Sequence, residues 1–186
     1  MDRQPVLEGE RLILRPLVPA DWDALYAVAS DPELWAMHPM HDRWQEPVFR
    51  AYFDDALAQG GALAVVLRED GRIVGSSRYQ NYSAENGGQV EIGWTFLARE
   101  LWGGSYNAEM KRLMLGHALA QVECAVFRVG EHNLRSRAAM EKIGGRLRPD
   151  VELVVTPLGE VAHVIYEIRR EDFAAGPLGL GGNMAG

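Results

Sequence analysis

The stretch from Glu91 to Ala120 constrains the fold of this chain most, because it reads as a buried strand, a glycine turn and a long amphipathic helix. Branched and aromatic residues fill positions 92–97, which favours a strand. Apolar residues between Met110 and Ala118 recur at spacings of three and four, so they share one face of a helix. The same spacing predicts that Lys111 and Arg112 point away from that face.

The turn between strand and helix has the sequence W-G-G-S-Y-N over residues 102–107. Glycine lets the backbone approach a ligand closely, and the free amides of a first helical turn bind anions, phosphates above all. The alternative is a tight turn in which Ser105 only caps the helix. A dinucleotide fingerprint and a P-loop are both missing. The turn therefore predicts a phosphate site of another kind, or a capped turn alone.

Composition limits the class of protein. A chain of 186 residues with 47% hydrophobic content can build one domain with a full core. We expect that domain over residues 1–175, followed by a flexible glycine-rich tail over 176–186. The formal net charge of -7 disfavours nucleic acid and anionic membrane surfaces as partners.

Cysteine usage and the N-terminus indicate the compartment. The single Cys124 excludes an internal disulfide and a cysteine-built metal site. Histidine, aspartate and glutamate do not cluster at metal-ligand spacing either, so no metal is predicted. The first residues lack the apolar core of a signal peptide, and no window reaches the length of a membrane span. We expect a cytoplasmic protein.

The elements follow in the order strand, two helices, three strands, helix, strand, helix and two strands. The Glu69-Asp70-Gly71 turn joins two strands too closely for them to be parallel, so the middle of the sheet is mostly antiparallel. The strands before and after the central helix are candidates for parallel neighbours joined by a right-handed crossover. A ligand fits where two such neighbours splay apart.

Three segments in this order resemble the GNAT acyl-CoA N-acyltransferase superfamily: R-L-I-L-R-P near the start, E-I-G-W-T-F-L with W-G-G-S-Y-N-A-E, and V-G-E-H-N-L-R-S-R-A-A-M-E-K-I-G-G from Val129. The match is closest to the RimJ/RimL-type branch and covers Leu7 to Phe173. It implies an α/β (α+β) fold, with a mixed, mostly antiparallel central sheet flanked by helices. Acetyl-CoA, or another acyl-CoA, would lie between splayed parallel strands that end near Leu97 and Val129.

The resemblance also implies a set of residues that bind the acyl-CoA. A backbone amide near Phe96 or Leu97, freed by a bulge, would donate to the oxyanion. Ser105 and Asn107 depart from the glycine and alanine of the family loop, although both can donate to a phosphate. The predicted cofactor-binding residues are Phe96, Leu97, Arg99, Gly103, Gly104, Ser105, Tyr106, Asn107 and Asn133.

Acyl transfer to an amine needs a base for the amine and benefits from an acid for the thiolate. Glu91 is the predicted base, because the resemblance places a glutamate at the edge of the cleft. The alternative is a solvated carboxylate at a strand end. A tyrosine that many family members use as the acid is replaced by Met140, and Ser136 is the predicted substitute. A helical serine also serves often as a capping hydroxyl.

The sequence predicts the residues that contact the acceptor amine less specifically. By resemblance, the irregular segment with Trp35 and His38 covers the acceptor pocket, and Tyr79 and Tyr82 are further candidates for substrate contact. A tryptophan-rich segment is also an ordinary core. The acceptor is expected to be an amine-bearing small molecule or a protein N-terminus.

The sequence thus predicts an N-acyltransferase, with acetyl as the first choice of acyl group, that works by direct transfer in a ternary complex. An enzyme that uses another acyl-CoA, such as succinyl-CoA, is one alternative. A CoA-binding module or sensor that has lost transfer is the other. The apolar closing hairpin over residues 151–168 would lie at the edge of the sheet, where it predicts a homodimer.

Overall fold

The computed structural model describes residues 1–179, which form eight strands, six helices and short 3-10 turns. The strands are β1 (Leu7–Glu8), β2 (Leu12–Pro16), β3 (Ala62–Leu67), β4 (Ile73–Ser83), β5 (Gln89–Leu97), β6 (Cys124–Gly130), β7 (Arg146–Thr156) and β8 (Gly159–Arg169). The helices are α1 (Trp22–Ala29), α2 (Pro32–Trp35), α3 (Glu46–Gln59), α4 (Tyr106–Leu119), α5 (Leu134–Lys142) and α6 (Arg170–Ala175).

All the strands join one sheet in the order β1-β2-β3-β4-β5-β6-β8-β7. Every neighbouring pair is antiparallel except β5 and β6, which are parallel and connected through α4. The predicted fold class and the predicted pair of parallel strands are therefore confirmed.

Helices pack on both faces of the sheet. The face towards α4 is filled by one apolar cluster that includes Val90, Ile92, Met110 and Met114. The opposite face meets α1 and α3 through a second, aromatic cluster that includes Phe49. Because both faces are covered, the central strand β3 is buried along its whole length, and its sequence A-L-A-V-V-L shows no alternation.

Several boundaries differ from the prediction. β7 begins at Arg146, five residues before the predicted start at Val151. The polar run R-L-R-P-D forms an exposed edge strand, and its sequence shows no apolar pattern that would have predicted it. Within the expected tail, Leu178 is buried against the α4 face of the core. Residues 180–186 of that tail lie outside the described residues.

The hairpin of β7 and β8, at the edge of the sheet, exposes several large apolar side chains. Val155 is 83% exposed and Leu153 is 65% exposed. We expect this strip to pack against a second copy of the chain. Sedimentation should therefore give a dimer at micromolar concentration, and Leu153→Lys combined with Val155→Lys should give a monomer. A monomeric parent protein would contradict the prediction.

The described range, residues 1–179, contains neither a membrane-spanning helix nor a cluster of metal ligands. No helix in that range is long and apolar enough to cross a membrane. No group of three histidine, cysteine, aspartate or glutamate side chains in that range is arranged to hold a metal ion.

Candidate active site

A cleft opens where the two parallel strands separate. β5 and β6 pair over only three residues each, and the last pair joins Glu91 to Val126. β5 then continues to Leu97 and β6 to Gly130 without further pairing between them. Backbone amides and carbonyls on the facing edges of the two strands are therefore available to a ligand that lies between them.

A bulge in β5 lies just inside the cleft. Ser76 of β4 pairs with Phe96 and Arg78 pairs with Gly93, so Ser77 faces two residues, Trp94 and Thr95. Trp94 has a left-handed φ of 51°, which is strained for a bulky residue. The Tyr52 hydroxyl donates to the Trp94 carbonyl at 2.9 Å and holds this conformation.

The bulge lies next to the predicted position of the oxyanion donor. Phe96 and Leu97 lie beyond it, in regular register with β4, and their side chains are buried in the two cores. The strand is irregular at Trp94 and Thr95 instead. The bulge itself therefore lies at those two residues, and the oxyanion donor near Phe96 or Leu97 stays a prediction.

The glycine turn ends in a helix N-terminus without backbone partners. Gly103 has a left-handed φ of 73°, which aims the chain into α4. Within residues 1–179, the amides at positions 106–108 donate to no acceptor. Ser105 occupies the N-cap position, but its hydroxyl makes no capping bond. The turn therefore presents free donors, and the predicted capping of the helix by the Ser105 side chain is wrong.

Arg11 adds a positive charge to this turn, which the sequence did not predict. Its guanidinium donates to the Ser105 hydroxyl and lies 4.7 Å from the centroid of the Tyr106 ring. Buried Glu109 of α4 fixes it by accepting from Arg11 Nε at 2.9 Å and from the Arg11 amide at 2.8 Å. The R-L-I-L-R-P segment carried the signal, but its 94-residue separation from Ser105 hid the contact.

The predicted residues Asn107 and Arg99, and Trp102 beside them, make different contacts. Asn107 is partly exposed, and its side chain donates to no described residue. Arg99 forms an ion pair with Asp31 at the start of α2, so it links the turn to the first helices. Trp102 donates from its indole to the Leu97 carbonyl at 2.9 Å and carries the Arg135 guanidinium 3.8 Å from its ring centroid.

Glu91 lies at the apex of the cleft and is 3% exposed. Its Oε2 accepts from Arg128 Nη1 and from Asn81 Nδ2, the latter at 2.7 Å. Arg128 also donates from Nε to Glu152 at 2.6 Å. The two carboxylates raise the pKa of its guanidinium, and its hydrogen bond to Glu152 contributes most. Glu91 is thus a buried, ion-paired group rather than a solvated strand end.

The start of α5 follows the other strand of the cleft. Asn133 is the N-cap of α5, and its side-chain oxygen accepts from the Ser136 amide at 3.2 Å. The predicted capping role of Asn133 is confirmed. The Ser136 hydroxyl has no hydrogen-bond partner within residues 1–179. Met140, at the family's tyrosine position, is buried in the core and offers no acidic proton.

A pocket of about 620 Å³ lies beyond the end of β6. It is bounded by residues 36–41, by the start of α5 and by the β7–β8 hairpin, and Glu131 and Glu160 contribute carboxylates to its lining. His38 also lines it and accepts from the Met40 amide through Nδ1 at 3.0 Å. Burial and the nearby positive charge of Arg43 lower the pKa of His38 to about 3, so it is neutral at pH 7.

The remaining acceptor candidates are placed differently. Trp35 is 2% exposed and donates from its indole to the Ala29 carbonyl, inside the aromatic core. Tyr79 is fully buried on the α4 face, where its hydroxyl donates to the Met114 carbonyl. Neither side chain offers a surface to a substrate, so both predicted contacts are corrected to core roles. Tyr82 is 42% exposed near the end of β4.

Comparison with known proteins agrees with this geometry. Residues 11–146 match the family model described as "Acetyltransferase (GNAT) domain". A solved structure described as a putative acetyltransferase is 27% identical, with a TM-score of 0.77 over 91% of this chain and 89% of that chain. A putative acetyltransferase from T. thermophilus is 26% identical, with a TM-score of 0.74 over 91% and 92% of the two chains.

A third similar structure is Mycobacterium smegmatis RimJ in complex with CoA-disulfide. It is 21% identical to this chain, with a TM-score of 0.69 over 90% of this chain and 86% of that one. At this identity the likeness concerns the fold alone.

Proposed function

This chain belongs to the GNAT acetyltransferase family, and from that premise we propose that it transfers an acetyl group from acetyl-CoA to a primary amine in a ternary complex. One observation carries the proposal: the parallel strands β5 and β6 separate after Glu91 and Val126, next to a helix N-terminus with free amides. A nucleotide thioester needs this combination, an anion site joined to an extended slot.

The turn from Gly103 to Asn107 would hold the pyrophosphate of acetyl-CoA. The first-turn amides of α4 and the helix dipole attract phosphate oxygens, and the guanidinium of Arg11, which is ion-paired with Glu109, adds hydrogen-bond donors beside them. The side chain of Asn107 and the hydroxyl of Ser105 would donate in addition. The pantetheine arm would then run between the strands, where the amide group of Asn133 is available to it.

The bulge and Glu91 would serve the attack on the thioester. As the amine nitrogen bonds to the carbonyl carbon, the carbonyl oxygen becomes an oxyanion, and an amide at Trp94 or Thr95 would stabilise it. The second oxygen of Glu91, Oε1, lies 3.4 Å from the place that a Cβ on Gly93 would occupy. Because Gly93 has no side chain, a water molecule or the amine itself has room there, and Glu91 would accept the amine proton through it.

The C–S bond then breaks, and its electron pair moves to the sulfur of CoA. The Ser136 hydroxyl, which has no partner in the described chain, is the proposed source of a proton for that sulfur. Solvent would restore the proton to Ser136. Loss of Ser136 is a mild defect in this scheme, because a thiolate is a tolerable leaving group and water can replace the hydroxyl.

The acceptor would enter through the pocket beside His38. Carboxylates of Glu131 and Glu160 line this pocket, and His38, one of its three histidines, is neutral. The pocket therefore suits a cationic amine such as a small polyamine-like molecule or a protein N-terminus. We propose the RimJ/RimL-type branch on the segments R-L-I-L-R-P and W-G-G-S-Y-N, which argues for the N-terminus of a protein as the first acceptor to test.

The deciding experiment is a panel of amines with acetyl-CoA, read by the release of free thiol. The panel should contain peptide N-termini, polyamines and small amines, with succinyl-CoA as a second donor. We expect amine-dependent thiol release with at least one member. If the protein binds CoA tightly and no amine of the panel causes thiol release, the result would support a CoA-binding module that has lost transfer.

A further inference from the structure

Lys111 is a buried amine that the scheme above does not use. It lies in the second turn of α4 and is 3% exposed, although the helix pattern predicted that it points away from the apolar face. Its ammonium donates to the Thr95 hydroxyl at 2.8 Å, which is its only acceptor within residues 1–179. The Thr95 hydroxyl is in turn 2.7 Å from the hydroxyl of Ser77.

The position of the Lys111 ammonium is set by both strands of the cleft. Thr95 belongs to the bulge of β5, and Phe127 is the first residue of β6 beyond its last pairing with β5. Nζ of Lys111 lies 5.3 Å from the centroid of the Phe127 ring. The ammonium therefore lies between the two separating strands, on the side of the sheet covered by α4.

No charged side chain of the described residues neutralises this ammonium. Glu91 and Arg128, on the two strands, bind each other on the opposite face, and Glu109 on the same helix binds Arg11. Burial alone lowers the pKa of Lys111, to about 7. A buried ammonium with one hydroxyl partner is costly unless an anion joins it.

Resting on the proposed function, we propose that the ammonium of Lys111 is a binding site for the thiolate of coenzyme A. When the C–N bond forms and the C–S bond breaks, the electron pair that stays on sulfur acquires a positive neighbour in a site of low dielectric. The thiolate takes its proton afterwards, from Ser136 or water. Lys111 would thus stabilise the leaving sulfur in a chain that has Met140 at the position of the family's tyrosine.

The test is the titration of the thiol in bound CoA, followed by thiolate absorbance from pH 6 to 9. In the parent enzyme we expect the thiol to titrate at least about one pKa unit lower than in Lys111→Met, because a thiolate beside Lys111 keeps that amine protonated and the ammonium in turn favours the charged sulfur. Methionine has a similar length and no charge. Arg112→Met, which removes an exposed positive charge from the same helix, is the matched control and should titrate as the parent does.

Thermal stability provides a second readout, which separates this site from a structural lysine. Because the folded pKa of Lys111 lies below its unfolded value of 10.5, the cost of burying it is complete below pH 7 and fades as the pH rises towards 10.5. Lys111→Met should therefore melt at a higher temperature than the parent at pH 6, by at least about 3 °C, while it turns over more slowly.

Three results would overturn the proposal. Equal thiol titration in the parent and in Lys111→Met would show that the sulfur does not meet the ammonium. A preference for succinyl-CoA over acetyl-CoA that disappears in Lys111→Met would assign the ammonium to a carboxylate of the acyl group. A parent protein that does not bind CoA at all would remove the proposed function and this site together. The first result leaves the proposed function intact, and the second changes only its acyl group.

Discussion

Replacement of Gly104 by glutamate should reduce the affinity for CoA and acetyl-CoA by roughly 100-fold or more, about 3 kcal/mol in binding free energy. Gly104 lies in the turn before α4, next to the first-turn amides that donate to no described acceptor. A carboxylate there would occupy those amides and repel the pyrophosphate. Calorimetric titration with CoA measures the loss directly.

Gly104→Ala is the matched control for this substitution. Gly104 does not have a positive φ, and a Cβ there would meet only ordinary contacts, 3.7 Å from Tyr106 Cδ2 and 3.8 Å from the Leu101 carbonyl oxygen. The alanine variant should therefore fold normally and retain CoA affinity within a few-fold. Unchanged affinity in Gly104→Glu would place the anion site elsewhere in the chain.

The fold could be predicted from the sequence because the patterns that indicate it lie in short, continuous segments. Glycine turns such as Glu69-Asp70-Gly71 separate short apolar runs, and this fixes which strands are antiparallel neighbours. The parallel pair followed from one long helix between two strands. The start of β7 was missed, since an edge strand with polar residues on both faces carries no period that distinguishes it from a loop.

The candidate site could be predicted from the sequence only in part, because its charged side chains pair with residues far away in the chain. The ion pair of Glu91 with Arg128 changes the environment of the predicted base, and the separation of 37 residues gave no indication of it. The bulge at Trp94 depends on how β4 and β5 register with each other, which composition does not encode.

Lys111 shows a different limit of the sequence reading. It is in phase with Met114, Leu115 and Ala118, at spacings of three, four and seven, so the helical period did place it on the buried face. The prediction that it points away took too narrow a face from the residues between Met110 and Ala118, and it was wrong. Lysine is almost never fully buried without a partner, so the position is an exception. The exception falls within the candidate active site, where such departures are expected.

Replacement of Glu91 by glutamine should lower turnover by roughly 10²-fold to 10⁴-fold at neutral pH, the range that a single positioned base contributes. Affinity for CoA should hold, because Glu91 lies at the apex of the cleft, away from the turn that binds the phosphates. Glutamine retains the shape of the side chain and an acceptor oxygen for Asn81. Thiol release with a saturating amine acceptor measures the effect.

The pH profile separates a base from a structural carboxylate. In the parent enzyme the rate should reach a plateau as the pH rises, whereas in Glu91→Gln it should keep rising with the fraction of amine that is already deprotonated in solution. Glu152→Gln removes the other carboxylate that binds Arg128, and this variant should keep the plateau. It is the control for any general effect of losing an ion pair at that guanidinium. If Glu91→Gln keeps the parent's rate and profile, Glu91 only anchors Arg128, and the acceptor amine loses its proton to solvent.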